Sequence, residues 1–282
     1  MKKFSLVLLF TVYISMMPLN AQYAEFEVSV KGEGTPVMLI PGFTCTEKVW
    51  EETVAKLSED YECHTFTLAG FGGVQPIEFP WLPKIKDALL NYVKDKNLTD
   101  VVVVGHSLGG ALAMWMATEN EALFKKLIVV DALPSTGAVM VPDFKPENMV
   151  YDNPYSQRLL TMDSTNFKAM AKQMASFMAL NTKMHPQLTD WIVQSDRKTY
   201  VNGYTDLLKL DLREAIAQIS IPVTILAATH PNKEMIKAQY EKQFVKMPHR
   251  KILYAEDAAH FIMYDQPEWF MTTLISELEQ SE

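Results

Sequence analysis

The sequence predicts an α/β domain: a mostly parallel central sheet flanked by helices, interrupted by a long helical insertion. Three observations predict it. Continuous apolar runs at Val37–Ile40, Val101–Val104 and Leu127–Val130 read as strands buried on both faces. Segments with helical spacing separate these runs, and that alternation builds parallel sheets. From about Ser135 to Ile219 no strand pattern occurs, yet strand runs resume afterwards.

Taken in order, Glu25 to Val30 alternates and reads as an edge strand. Val37–Ile40 is a buried strand stopped by the turn Pro41-Gly42-Phe43. Lys48 to Leu57 has helical spacing. Cys63 to Leu68 is the next strand, followed by the loop Ala69-Gly70-Phe71-Gly72-Gly73. Pro80 is placed to open a helix at its first position, with apolar residues at Ile85, Leu89, Leu90 and Val93. Val101–Val104 runs into a tight corner, and Gly109 to Thr118 continues as a helix of small residues. Leu127–Val130 ends in Asp131-Ala132-Leu133-Pro134. The insertion carries Phe167, Met170, Met174, Phe177 and Met178, then Trp191 and Ile192, all at helical spacing. It is too long for a loop and too poor in strands to extend the sheet. Strands return at Val223–Leu226 and Ile252–Tyr254, and a last helix follows Pro267.

The chain divides accordingly into residues 1–21, a first core part at 22–134, the helical insertion at 135–219 and a second core part at 220–282. Lys2 and Lys3 precede the apolar run Phe4 to Met17, and Leu19-Asn20-Ala21 offers a small residue for cleavage. This pattern predicts a signal peptide and an exported protein, periplasmic or secreted, rather than an uncleaved anchor. No later segment has the length and apolarity to span a membrane, so no stable insertion is expected after cleavage. The formal charge of the chain is −8. Loss of residues 1–21 removes two lysines and no acid, which makes it more negative still. Such a chain repels phosphates, and no nucleic-acid partner is expected. Cys45 and Cys63 are the two cysteines; they fall at opposite ends of neighbouring parallel strands, too far apart for a disulfide.

The corner is Gly105-His106-Ser107-Leu108-Gly109. A serine hydroxyl is a weak nucleophile until a base takes its proton and donors stabilise the resulting oxyanion. A strand-to-helix elbow serves both needs. It lifts the serine above the sheet and aims the first N–H groups of the helix, backed by the helix dipole, at the reacting oxygen. Glycines at 105 and 109 remove side chains that would collide with neighbouring backbone. The bland alternative is a turn whose serine caps the helix.

Four stretches then resemble the α/β-hydrolase superfamily, in its lid-bearing, esterase-like branch. They are LIPGF at 39–43, GHSLGG at 105–110, DLREAIAQISIPVTIL at 211–226 and AEDAAHFIMYDQPEWF at 255–270. The resemblance implies the α/β-hydrolase fold, with a helical lid after the family's sixth strand, which here is Leu127–Val130. It implies Ser107 as nucleophile and His260 as general base. Backbone N–H groups of Phe43 and Leu108 would form the oxyanion hole, each worth about 3 kcal/mol of barrier. The family's turn histidine is replaced by Pro41. No metal and no organic cofactor is implied.

The third catalytic member is left open. The family's usual acid follows the strand at Val223–Leu226, where this chain has Pro231 and Asn232, with Glu234 just beyond. Some members place the acid one strand earlier, at the position of Asp131, and that residue is preferred. An Asp there can also merely cap a loop. The insertion, as the lid, is expected to place Met170, Met174, Phe177 and Met178 on an apolar pocket, although packing alone also explains them. These features point to a serine hydrolase cleaving an ester or related acyl bond of a small, largely apolar substrate. An amidase, thioesterase, carbon–carbon hydrolase or cofactor-free peroxidase could use the same site. A binding protein that has lost turnover is the rival from another class.

Overall fold

The computed structural model describes residues 23–280. The expected signal segment lies outside them. Seven strands form one sheet: β1 (Phe26–Lys31), β2 (Thr35–Ile40), β3 (Tyr61–Leu68), β4 (Val101–His106), β5 (Phe124–Val130), β6 (Val223–Ala228) and β7 (Arg250–Ala255). Their order is β1-β3-β2-β4-β5-β6-β7. β1 is the antiparallel edge strand, and every other pairing is parallel. The core helices are α1 (Glu51–Leu57), α2 (Trp81–Asp95) and α3 (Leu108–Asn120). The insertion holds α4 (Gly137–Met140), α5 (Pro154–Thr161), α6 (Ser164–Met178), α7 (His185–Gln194) and α8 (Tyr204–Lys209). After it come α9 (Lys233–Gln243), α10 (Ile262–Asp265) and α11 (Pro267–Glu279). The insertion leaves the sheet after β5 and returns at β6.

The buried strands account for the two-sided core. Val37 and Leu39 of β2 pack in one cluster with Trp50, Leu57, Phe270 and Leu274. Met38 and Ile40 face the other way and pack with Ile85, Leu89, Leu112 and Phe244. Neighbouring residues thus serve opposite faces, as the strand period requires, and both faces are covered by helices. A smaller cluster within the insertion joins Leu159, Phe167, Ala171, Ile192, Tyr200 and Val201. The Arg197 guanidinium lies 3.5 Å from the Phe167 ring centroid and donates to the carbonyls of Leu159 and Met162.

Two local expectations change. Residues Glu47–Trp50 form a 3₁₀ turn before α1 rather than part of it. Pro80 is extended and precedes α2 instead of occupying its first turn. The orphan N–H groups of Trp81 and Leu82 donate instead to the Asp206 carboxylate of α8, at 2.7 and 3.2 Å. The insertion therefore caps a core helix. Cys45 and Cys63 are buried free thiols. Cys63 is level with Val37 near the start of β2, whereas Cys45 lies beyond the end of that strand.

Chain order reverses across β2 and β4, which are neighbours in the sheet. In open α/β sheets such a switch point, at the carboxyl ends of the strands, leaves a crevice. The turn after β2 and the elbow after β4 meet there.

Candidate active site

Ser107 sits between β4 and α3 with φ 53° and ψ −115°, a left-handed conformation that costs a non-glycine residue about 1–3 kcal/mol. The surroundings hold it there. Its N–H donates to the Val130 carbonyl at 2.8 Å, and its own carbonyl accepts from Ala111 at 3.1 Å. A Cβ at Gly105 would come within 2.3 Å of the Gly109 carbonyl oxygen, and one at Gly109 within 2.2 Å of the Ile40 oxygen. Only glycine allows strand, elbow and helix to pack this closely. Leu108 is the first residue of α3, so its N–H lacks an intrahelical acceptor. The turn after β2 abuts the elbow: a Cβ on Gly42 would lie 3.3 Å from that of Ser107. Phe43 therefore follows directly beside the serine, its ring packed on Phe71, Trp81, Tyr200 and Tyr204.

Asp131 lies one strand over. His106 pairs with Val130, so Ser107 and Asp131 leave adjacent strands at the same level. His260, in the loop between β7 and α10, places Nδ1 2.7 Å from Asp131 Oδ2. A carboxylate accepts, so the proton is on Nδ1 and Nε2 is the basic nitrogen. Asp131 Oδ1 accepts two more bonds, from the Ala228 N–H at 2.9 Å and the Tyr240 hydroxyl at 2.8 Å. Burial pushes the Asp131 carboxyl up. The bond and charge of His260, with the Ala228 and Tyr240 donors, outweigh this and hold it below the usual carboxylate range.

The loop bearing His260 is braced on three sides. Asp265 accepts from the Ala259 N–H and from the Asn181 N–H, both at 2.8 Å. Phe261 N–H donates to the Met178 carbonyl at the end of α6. From below, His106 Nε2–H donates to the His260 carbonyl at 2.9 Å. Burial, and then the nearby His260, push the His106 imidazole down to about 3, so it is neutral at physiological pH. Its ring fits because Gly42 has no side chain; a Cβ there would meet His106 Nδ1 at 2.7 Å.

The buried neutral His106 has a consequence for acid stability. Unfolded, its pKa is about 6.5. Its contribution is thus fully present above about pH 6.5 and is lost as pH falls toward 3, at up to about 1.4 kcal/mol per pH unit. Urea unfolding at pH 7, 6 and 5 should show stability falling with acid. His106→Gln, which keeps an N–H but does not titrate, should flatten that slope by about one proton.

An open cavity of about 1240 Å³ stands over these groups. Its walls include Gly42, Phe43, Ser107, Asp131 and His260, and the insertion supplies Met170, Met174, Phe177 and Met178. Three of these four are half-buried, while Phe177 is exposed at the rim. Among the described residues, no lysine, arginine or glutamate lines it. The structure thus brings the catalytic candidates and the four insertion residues to one cavity. It does not bring Glu234 there: that side chain is exposed in the first turn of α9. Asn232 caps α9 by accepting from Met235 N–H, and Pro231 lines the cavity without an acid. Among the described residues, no group of three His, Cys, Asp or Glu side chains is placed to hold a metal.

Sequence reasoning missed Tyr240, Asp265 and the Ala228 N–H. The one signal for Tyr240 was its place in the helix after β6, the strand whose end carries the family's usual acid. Tyr240→Phe should keep the fold and lower kcat/KM by up to roughly ten- to a hundredfold, the worth of one bond to a charged acceptor. Steady-state kinetics beside a melting curve checks this.

A site of this kind, on a seven-stranded sheet, has the design of hydrolases that work from a nucleophile elbow. The alpha/beta hydrolase family model matches residues 37–273, and the chain belongs to that family. It is 24% identical over 276 residues to 3-oxoadipate enol-lactonase 1 of Acinetobacter baylyi, covering 91% of this chain and 94% of that one. It is 25% identical over 257 residues to the pimeloyl-[acyl-carrier protein] methyl ester esterase of Aliivibrio fischeri, covering 89% and 96%. Among solved structures, the enol-lactonase from Burkholderia xenovorans LB400 superposes with a TM-score of 0.77 at 16% identity, covering 90% and 96%.

Proposed function

We propose that the chain is an exported serine hydrolase that cleaves an ester bond of an uncharged, largely apolar substrate through an acyl-enzyme. The observation that carries this reading is the 2.7 Å bond between His260 and Asp131, level with the strained Ser107 under one cavity. In the mechanism, His260 Nε2 takes the Ser107 proton as Oγ attacks the carbonyl carbon. The N–H groups of Phe43 and Leu108 receive the oxyanion. Asp131 holds the imidazole tautomer and stabilises the imidazolium that forms. The tetrahedral intermediate collapses, and His260 protonates the departing alcohol. Water, deprotonated by the same nitrogen, then attacks the acyl-enzyme and releases the acid.

The relatives named as an esterase and a lactonase support hydrolysis of an ester. A cavity wall with no lysine or arginine among the described residues supports an uncharged substrate. Export rests on Lys2 and Lys3 ahead of an apolar run and on the small residue Ala21. The test is labelling with a fluorophosphonate probe, then a screen of esters of graded acyl length. Fast labelling that His260→Ala abolishes is the expected result. An unlabelled protein that turns over none of the esters would be the binding member of the fold instead. For export, the mature protein recovered outside the cytoplasm should begin at Gln22.

A further inference from the structure

Ten large apolar side chains stand exposed among the described residues, and six of them line the cavity that holds Ser107. These six are Val139, Met140, Val150, Tyr155, Phe177 and Met235, between 46% and 71% exposed. They come from α4, the loop after it, α5, α6 and α9, so separate segments converge on one mouth. Single exposed apolar residues need no explanation, but a contiguous apolar rim marks an interaction site.

We propose that this rim seats on an uncharged or zwitterionic lipid surface, from which the ester substrate enters the cavity without crossing water. The inference rests on the hydrolase reading only for what happens after entry. Three observations favour this occupant. The six rim residues line the same cavity as Met170, Met174 and Met178, so an acyl chain sliding inward meets apolar side chains at the mouth and inside. In water each exposed methylene would lower its transfer roughly fourfold. The cavity, at about 1240 Å³, exceeds the roughly 300–1,000 Å³ of ordinary small-molecule pockets, which leaves room for a lipid chain. Charge then selects the surface. The chain carries −8 overall, and among the described residues no lysine or arginine lines its cavity to draw it to anionic headgroups. Tyr155, 65% exposed, is of the type that settles at a headgroup boundary. No described helix is long and apolar enough to cross a membrane, so the contact is with the surface.

The experiment uses Ser107→Ala protein beginning at Gln22, which binds without consuming ester, and flotation with phosphatidylcholine vesicles. It should float with the vesicles, resist 1 M salt as roughly the limit of the titration, and float less with phosphatidylglycerol vesicles. Adding Met140→Asp, Val150→Asp and Met235→Asp together should cut the bound fraction at least about tenfold. Met140→Ser alone, a milder change, should cut it measurably with an unchanged melting temperature. Protein that stays in the bulk phase, or folded rim variants that float as before, would overturn the proposal. So would a concentration-dependent dimer broken by the same substitutions, because the rim would then seat a second copy. Wild-type protein that labels with fluorophosphonate, beside a Ser107→Ala protein that does not float, sinks this inference alone. Flotation of the Ser107→Ala protein, with wild type that neither labels nor hydrolyses, sinks the hydrolase reading and leaves the surface in place.

Discussion

Ser107→Ala should fold normally and lose at least a thousandfold of ester turnover. The hydroxyl is the one nucleophile at the elbow, and alanine leaves His260 with no proton to take. Residual rate would come from the Phe43 and Leu108 N–H groups and from binding, which in such sites exceeds water by about 10³–10⁴ even when a triad member is removed. Stability should barely change. The left-handed backbone is held by Gly105, Gly109 and the bond to Val130, none of which involves the hydroxyl. Turnover of a chromogenic short ester, beside a melting curve, reads both quantities. Retention of a tenth of the wild-type rate would remove Ser107 from the chemistry.

The parts of this molecule legible in sequence are those where a local pattern carries the physics. Val101–Val104 is apolar without interruption because β4 is covered on both faces, and the elbow needs Gly105 and Gly109 because a Cβ at either would come within 2.3 Å of neighbouring backbone oxygen. The insertion betrayed itself by losing the strand pattern. What stayed hidden depends on contacts between distant residues. Asp206 caps α2 from 125 residues away, and no spacing near Pro80 announces it. Tyr240 reaches Asp131 across 109 residues, and Asp265 ties the loop of His260 to the insertion at Asn181. The acid was intermediate in kind. Strand ends at one sheet edge can be argued level from sequence, but the loop after β7 must fold back before His260 can meet either candidate. Glu234 stayed open as the weaker candidate because α9 had no assigned orientation; its side chain is exposed, while Met235 beside it lines the cavity.

Asp131→Asn should lower turnover per folded molecule by about 10³–10⁴, the second of the two largest expected effects. The amide cannot hold the Nδ1–H tautomer as a carboxylate does, and it supplies no charge to the imidazolium. The structure adds a stability cost that a bare triad argument omits. Asp131 Oδ1 accepts from Ala228 and Tyr240, and the native carboxyl is held below its usual range. A depressed native pKa stabilises the fold above the ordinary carboxylate range of about 3.9 and loses that stabilisation as pH falls through the native value. The asparagine variant should therefore melt lower than wild type at pH 7, with the gap narrowing in strong acid. Turnover must be normalised to folded protein, because a merely structural Asp would move the melting curve and leave that rate nearly unchanged. Glu234→Gln, exposed on α9, should match wild type in both measurements. The third arm is Tyr240→Phe combined with Asp131→Asn. If the tyrosine acts through the carboxylate, it costs nothing further once the carboxylate is gone, and the two single effects are not additive. Normal turnover in folded Asp131→Asn would return the residue to loop capping, and a collapse confined to Glu234→Gln would move the acid to α9.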